Sequence, residues 1–530
     1  MRRFCSYGPV KCKAHFCVQR QALIATGVQQ LIGSPDEEGG HYFTIWAPRQ
    51  TGKTWLMTRI QEEILQQYPE KFTLFNFSLG GLRGMNFTPS ENFPKDFADL
   101  LEEVLPSQPI VSSWKGFRQL FSRTEGLWDR PLILLIDEVD TIPLALIDLM
   151  VAQFRELYLH RETNWLHGLA LIGVRAVLGI ESQRGSPFNI QRSLQVPNLT
   201  VEEVDELYRQ YIEESGQHIE AAVVEKVYQS TKGQPGLVSW FGELLTEKYN
   251  PGPQTVIDLS VWDKLWEKAR FFEPNNTVMN LIAKASLPEY QPFLIKLFGS
   301  NNIPFSFHHQ LCNYLYLHGI IEPFSIQQPN GKQRDICRFS SPFIQDCLYY
   351  ALTDDIVGDE IPIIPLQPLD NLADVFEGTS LNLPALLARY KDYLARLRAQ
   401  GINPWIDQPR RKKDLKLTEA VGQFHLFTWL GEVVGRRCTV SPEFPTGNGK
   451  VDLHLQCGSQ LGIIEVKSFV DSYQIKHDQE HVADYAKNLG LDNVTIAVFI
   501  PVLEETVLEK LSTQEIVNGI EVNVVAIGWV

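Results

Sequence analysis

No stretch of this 530-residue chain approaches the roughly 20 consecutive apolar residues that a membrane-spanning helix needs, so no membrane partner is expected. The first 35 residues contain no aspartate or glutamate, superficially like a targeting peptide, yet they also lack the apolar core of a secretory signal. Cysteine is sparse, with eight residues scattered at 5, 12, 17, 312, 337, 347, 438 and 457 and no paired spacing. That scatter argues against a disulfide framework and for a reducing cytoplasm. Cys5, Cys12, His15 and Cys17 match no zinc-finger spacing. An excess of positive charge is missing too: 48 Lys+Arg stand against 63 Asp+Glu, a formal net charge of −15. This excludes a general affinity for DNA, whose binding is dominated by phosphate neutralisation. Any nucleic-acid contact must be local, as at Arg410-Arg411-Lys412-Lys413 with Lys416, a run that reads first as a solvated linker.

Two short runs carry most of what is present. Ala47-Pro48-Arg49-Gln50-Thr51-Gly52-Lys53-Thr54 follows an apolar run, Tyr42 to Trp46, and opens a helix-like stretch, Trp55 to Gln67. Strand, Gly-Lys-Thr loop and helix in that order make a phosphate-binding loop. Backbone N–H groups wrap the phosphates, Lys53 neutralises them, and the Thr54 hydroxyl reaches Mg²⁺. The usual first glycine of such a loop is here Ala47, before the tight part of the cradle. Leu132 to Ile136 then reads as a parallel strand buried on both faces, ending in Asp137 and Glu138. Acids at the carboxyl end of such a strand stand where open α/β sheets place their ligands. Asp137 is expected to hold Mg²⁺, and Glu138 to orient the attacking water; together the two runs predict an ATP site.

Between and after these runs, strands are expected at Phe72–Phe77 and Gly168–Val174 and a helix at Leu144–Leu157, an alternation that argues for a parallel sheet covered on both faces. Arg175 ends the last strand, where a cation would lie beside the γ-phosphate. Thr200-Val201-Glu202-Glu203 is a capping box opening a helical lid that Lys232-Gly233-Gln234-Pro235-Gly236 interrupts. Helical patterns at Asn276–Ala285 and Phe307–Leu317, then a turn at Gln328 to Lys332 between strand-like runs, suggest a winged helix. The charge of that module is nearly balanced, which favours packing or signalling over DNA reading. Val357 to Pro384, rich in proline, aspartate and asparagine, reads as a linker.

The last 140 residues hold a second constellation. Asp452 lies in a strand-like run, Lys450–Leu455. After a turn at Gly458-Ser459 a second strand carries Glu465 and Lys467, which share one face. A hairpin would bring the three together, and two carboxylates with a backbone carbonyl suit Mg²⁺ or Mn²⁺. Such a metal would activate water, with Lys467 holding water or phosphate. Glu419, on the amphipathic helix Leu417–Val434, is a candidate further ligand.

The first 350 residues or so resemble the STAND-like, AAA-like bacterial P-loop ATPases. The resemblance rests on Gly8-Pro9-Val10 with His15-Phe16, the Ala47 to Thr54 loop, the Leu134 to Glu138 strand, Gly173-Val174-Arg175 and Gly233-Gln234-Pro235. It implies Lys53 and Thr54 on phosphate and Mg²⁺, Asp137 and Glu138 for metal and water, and Arg175 as a sensor. Residues from about 386 to 530 resemble the PD-(D/E)xK nuclease superfamily, which implies Glu419, Asp452, Glu465 and Lys467 as an active site. Val451 stands where that superfamily often has proline, and Gln479 and His481 lie near the place of its occasional helical glutamine. The expected fold is therefore a multidomain α/β protein. A P-loop NTPase core (1–199) is followed by a helical lid (200–270), a winged helix (271–355), a linker (356–385) and a restriction-endonuclease-like domain (386–530). The expected function is an ATP-gated, metal-dependent nuclease acting on DNA, in defence or mobile-element biology. The alternative is a STAND-type switch or scaffold whose nuclease-like domain only binds, with self-association or a protein partner.

Overall fold

The computed structural model describes the chain except residues 35, 37–38, 83–110, 112, 174–192, 299–302, 328–331, 358–361, 369, 379, 407, 409, 411–417, 444–451, 469–471 and 530. Two compact units result: Met1–Thr277 with Ser306–Ile321, and Val278–Phe305 with Glu322–Val530. Among the described residues, no helix is long and apolar enough to cross a membrane.

The first unit opens with α1 (Gln21–Ile32), β1 (Tyr42–Trp46), α2 (Lys53–Gln67), β2 (Thr73–Ser78) and α3 (Trp114–Gln119). It continues with β3 (Leu132–Asp137), α4 (Leu144–Leu159), β4 (Leu166–Gly173) and β5 (Ser193–Gln195). The strands form one parallel sheet in the order β2-β3-β4-β1-β5. β1 and β3 are buried along their whole length, which is why both read as unbroken apolar runs. Ile133 and Leu135 pack with α1 and α2, while Leu132, Leu134 and Ile136 pack with α4 on the other face. Because β4 stands between β1 and β3, the loop after β1 and the acids after β3 border one crevice at the strands' carboxyl ends.

Helices α5 (Val201–Ser215), α6 (Ala221–Thr231), α7 (Pro235–Glu243) and α8 (Leu259–Phe271) come next, with a π-helical turn at Leu244–Lys248. The capping box forms as its residues require: Thr200 accepts from the Glu203 N–H, and Glu203 accepts from the Thr200 N–H. The N-terminal arm is strapped to these helices. Phe4 and Phe16 pack on Tyr208 and Tyr211, and Ser6 donates through its N–H and its hydroxyl to Glu243 at 2.7 and 2.6 Å. The chain continues through α9 (Asn276–Ala285), α10 (Gln291–Phe298), α11 (Gln310–Leu317), β6 (Ile321–Gln327), β7 (Gln333–Phe339) and α12 (Pro342–Val357). β6 and β7 form a two-stranded sheet of their own.

The second unit also contains α13 (Ala373–Phe376), α14 (Leu383–Ala399), α15 (Glu419–Val434), β8 (Thr439–Glu443), β9 (Asp452–Cys457), β10 (Gln460–Ser468) and α16 (Ser472–Asn488). β11 (Asn493–Ile500), α17 (Glu505–Leu511), β12 (Thr513–Val517) and β13 (Ile520–Gly528) complete it. Its mixed sheet runs β12-β13-β11-β10-β9-β8, parallel from β13 through β11 to β10 and antiparallel towards both edges. The stretch expected as a linker is pinned down within this unit. The Pro365 carbonyl accepts from Trp429 and Arg396 at 3.2 and 3.0 Å, because proline-rich backbone leaves carbonyls free to receive donors from α14 and α15.

The cysteine expectation is corrected. Cys12–Cys17 and Cys438–Cys457 are disulfides, and Cys5, Cys312, Cys337 and Cys347 are free. The register pairs Thr439 with Gln456, so the residues flanking that pair, Cys438 and Cys457, meet across β8 and β9. Spacing along the chain does not disclose such a cross-strand meeting. The two bonds remove the argument for a reducing compartment. The Cys12–Cys17 bond also ties up two of the four N-terminal Cys and His residues whose spacing matches no zinc finger.

Candidate functional site

The phosphate-binding loop is wound by two positive φ angles, 57° at Gln50 and 89° at Gly52. Nothing lies within 4 Å of a Cβ placed on Gly52, so glycine serves the backbone angle there rather than a steric need. Ala47 is wholly buried in the core beneath the loop, so its methyl group points to packing and leaves the cradle clear. The Lys53 ammonium donates to the carbonyls of Ala47 and Pro48 at 2.9 and 2.7 Å, and Thr51 Oγ1 donates to Pro48 at 2.9 Å. Burial pushes the Lys53 pKa down to about 8, against the partial compensation of Asp140 and Asp137.

Thr54 Oγ1 donates to Asp137 Oδ2 at 2.8 Å, joining the two sequence motifs directly. Burial raises the Asp137 pKa, opposed by the Thr54 bond, the Glu138 N–H and Lys53. Glu138 adopts a left-handed backbone, φ 56°, and its carboxylate accepts from Ser78 Oγ at 2.5 Å. Gly80 leaves the space that this carboxylate occupies; a Cβ there would collide with it. A cavity of about 280 Å³ joins these groups, lined by Arg49, Gln50, Lys53, Thr54, Asp137, Glu138, Asp140, Thr141, Gly173, Asn276 and Thr277. β4 ends at Gly173, so Arg175 lies outside the described residues.

The Gly-Gln-Pro break meets the loop itself. Gln234 Nε2 donates to the carbonyls of Arg49 and Gln50 at 3.1 and 3.4 Å, and the Gly236 N–H donates to Gln50 at 3.1 Å. Gly233, φ 71°, has no room for a side chain against the Leu199 carbonyl. On this side a second, apolar cavity of about 70 Å³ touches Thr51 and Gly52 and is walled by Val10, Phe16, Trp55, Leu199, Leu207 and Pro235 among others. Arg20 closes its arm by donating to the carbonyls of Pro197 and Asn198 and pairing with Glu203 at 3.0 Å.

In the second unit the register places Asp452 directly opposite Glu465, and also opposite Glu443 on β8. Positions 443, 452 and 465 are thus register partners on three neighbouring strands, Glu443 being the one the sequence did not disclose. Glu465 and Lys467 are both buried and form an ion pair with each other. α16 packs through Val482, Ala483 and Ala486 on the face carrying Ile463, Glu465 and Lys467. α15 packs through Gly422 on Phe499, which pairs with Ser468 and so marks the opposite face. Glu419, the first residue of α15, is therefore on the helix over the other face. Gln479 is buried on α16 and His481 is exposed. Of the basic run, Arg410 is described. It donates to the Trp405 carbonyl at 2.8 Å and lies over the Trp529 ring, while 411–413 and 416 fall outside the described residues.

Ser78, Gly80, Asp140, Thr141, Asn276 and Thr277 were missed at the sequence level. Ser78 carries a usable signal, since it ends the strand beside β3, but strand order had to be known first.

Residues 5–250 match the family model described as an AAA-like domain. No curated protein matches the chain. Solved structures similar to it include the ORC1 protein of Aeropyrum pernix in complex with DNA, 14% identical over 64% of this chain and 92% of that one, TM-score 0.31. A Walker-type ATPase of Pyrococcus abyssi is 14% identical over 64% of this chain and 98% of its own, TM-score 0.38. The RuvB Holliday junction branch migration motor of Thermotoga maritima is 14% identical over 60% and 92%, TM-score 0.33.

Proposed function

Starting from an AAA-like P-loop ATPase domain over residues 5–250, we propose that the protein binds and hydrolyses ATP and uses that cycle to gate a metal-dependent DNA nuclease in its C-terminal unit. The observation that carries the first half is the Thr54–Asp137 bond, which brings hydroxyl and carboxylate oxygens together between the loop and the β3 acids. Hard oxygen donors of this kind suit Mg²⁺, which when bound would neutralise charge on the nucleotide phosphates. Lys53 exchanges the Ala47 and Pro48 carbonyls for phosphate oxygens, and the loop N–H groups from Arg49 to Thr54 wrap the phosphate chain. Glu138, beside the cavity, orients the attacking water; Arg175 is read as a sensor of the γ-phosphate. The apolar cavity on the far side of Thr51 and Gly52 takes the base. We read 200–270 as the lid and 271–355 as a winged helix.

For the nuclease half, the supporting observation is the pairing of Asp452 with Glu465, with the buried Lys467 ammonium on the same strand. A buried ion pair contributes little net stability compared with apolar packing, so its presence beside a paired acid favours chemistry. Mg²⁺ or Mn²⁺, if held by Asp452 and Glu465, would supply an acidified water as nucleophile. Asp452 and Glu465 are the metal-holding groups, Lys467 positions water or phosphate, and Glu419 is assigned only a supporting place. The test is cleavage of plasmid and single-stranded DNA with Mg²⁺ or Mn²⁺, with and without ATP, comparing wild type with Asp452→Ala and Lys53→Ala. Cleavage lost in the first variant and altered in the second supports both sites and their coupling. No cleavage under any condition, with ATP still bound, overturns the nuclease and leaves a nucleotide-dependent switch.

A further inference from the structure

The phosphate cavity has a wall that neither motif accounts for. Its lining also includes Asn276 and Thr277, the first two residues of α9. Thr277 is only 7% exposed, yet among the described residues its hydroxyl has no hydrogen-bond partner. Its N–H is satisfied by Asn275 Oδ1 at 3.0 Å, which fixes the backbone of this turn. A buried hydroxyl left without a partner carries a free-energy cost, and this one belongs to a residue that lines the cavity, where an acceptor could satisfy it after a side-chain rotation. Of the lining residues at the end of β3 and just after it, Asp137, Glu138 and Asp140 are acids, and Thr141 Oγ1 already donates to the Leu79 and Glu138 carbonyls.

We propose that Thr277, with Asn276 beside it, is a terminal-phosphate reader that donates hydrogen bonds to the γ-phosphate and so distinguishes ATP from ADP. This rests on the nucleotide reading of the same cavity. A phosphate chain that enters at the loop extends towards the acids at the end of β3, so its last phosphate lies deepest in the cavity that Thr277 shares with Asp137 and Glu138. Thr277 is also the last residue of the first unit before the chain continues, at Val278, into the second. A residue ordered by the γ-phosphate at that covalent junction ties nucleotide state directly to the start of α9.

The experiment is an equilibrium titration of the full chain, with Mg²⁺, by fluorescent ATPγS and fluorescent ADP. The proteins compared are wild type, Thr277→Val, Thr277→Ser and Asn276→Ala. Thr277→Val is expected to weaken ATPγS binding about tenfold, the effect of one lost hydrogen bond to a charged acceptor, with ADP affinity unchanged. Thr277→Ser should retain wild-type discrimination. Asn276 is exposed, so Asn276→Ala leaves packing intact and should show a smaller loss of the same sign. An ATPγS-to-ADP affinity ratio unchanged in both Thr277→Val and Asn276→Ala overturns the inference while leaving nucleotide binding standing. Failure of the wild-type protein to bind either nucleotide removes both readings together.

Discussion

Lys53 supplies a quantitative handle on the nucleotide site through pH. In the free protein burial holds its pKa at about 8, against the ordinary 10.5. Phosphate oxygens beside the ammonium favour the charged form and raise the pKa back towards the ordinary range of lysine. Binding therefore takes up a proton wherever free Lys53 is neutral. From pH 7.5 to 9.5 the charged fraction of the free site falls from about three quarters to about 3%, so ATP affinity should fall about 20-fold, or about 2 kcal/mol. The phosphates themselves are already ionised across this range, their second pKa lying near about 6. The assay is titration with a fluorescent ATP analogue at both pH values. Calorimetry in two buffers of different ionisation enthalpy should add an uptake of about 0.9 proton at pH 9.5. Lys53→Arg keeps its charge throughout and should flatten the profile. Stability of the free protein moves the other way. Between pH 8 and 10.5 the unfolded chain binds more protons at Lys53 than the native one, so this group makes folding more favourable as pH rises. A wild-type affinity that stays flat from pH 7.5 to 9.5 refutes the argument.

Glu138→Gln should bind ATP like wild type and lose at least about 100-fold in turnover, since the amide cannot act on water as the carboxylate does; single-turnover phosphate release checks this. Ser78→Ala removes the hydroxyl that restrains Glu138 and should raise basal turnover several-fold at unchanged KM; a fall would show that Ser78 holds the productive geometry instead. His425 is buried against Tyr390 and burial pushes its pKa down to about 4, so the unfolded chain binds its proton first on acidification. That contribution is complete above about pH 6.5 and is lost towards pH 4, costing about 3 kcal/mol, to be read as a drop in denaturation midpoint that His425→Gln lessens. Breaking Cys438–Cys457 by Cys438→Ser frees a loop of sequence separation 19 and should lower the stability of the second unit by about 3 kcal/mol. Equal midpoints for oxidised wild type and the variant would remove the bond from the account.

Local chemistry settled a good part of this protein before any tertiary contact was known. Tyr42 to Trp46 and Leu132 to Ile136 are apolar without interruption because both faces of their sheet are covered, so each reads as a strand and each leads into candidate site residues. Thr200 to Glu203 determines a helix start because both reciprocal bonds lie within four residues. The facing of Glu465 and Lys467 follows from the two-residue period of a strand alone. Other features, decided only by the tertiary structure, depend on partners distant in sequence. Strand order put β4 between the two motifs and Ser78 against Glu138, 60 residues away. Antiparallel register lined Glu443 up with Asp452 and Glu465 and brought Cys438 to Cys457. Helix packing set α15, and Glu419 with it, over the face away from Lys467. Asn276 and Thr277 carry no motif, and their place in the phosphate cavity arises from the chain's return to it more than 200 residues after the loop. Periodicity and capping act over a few residues and leave a mark in the sequence there. Register, strand order and cavity walls are fixed by long-range packing, which many different local sequences satisfy equally well.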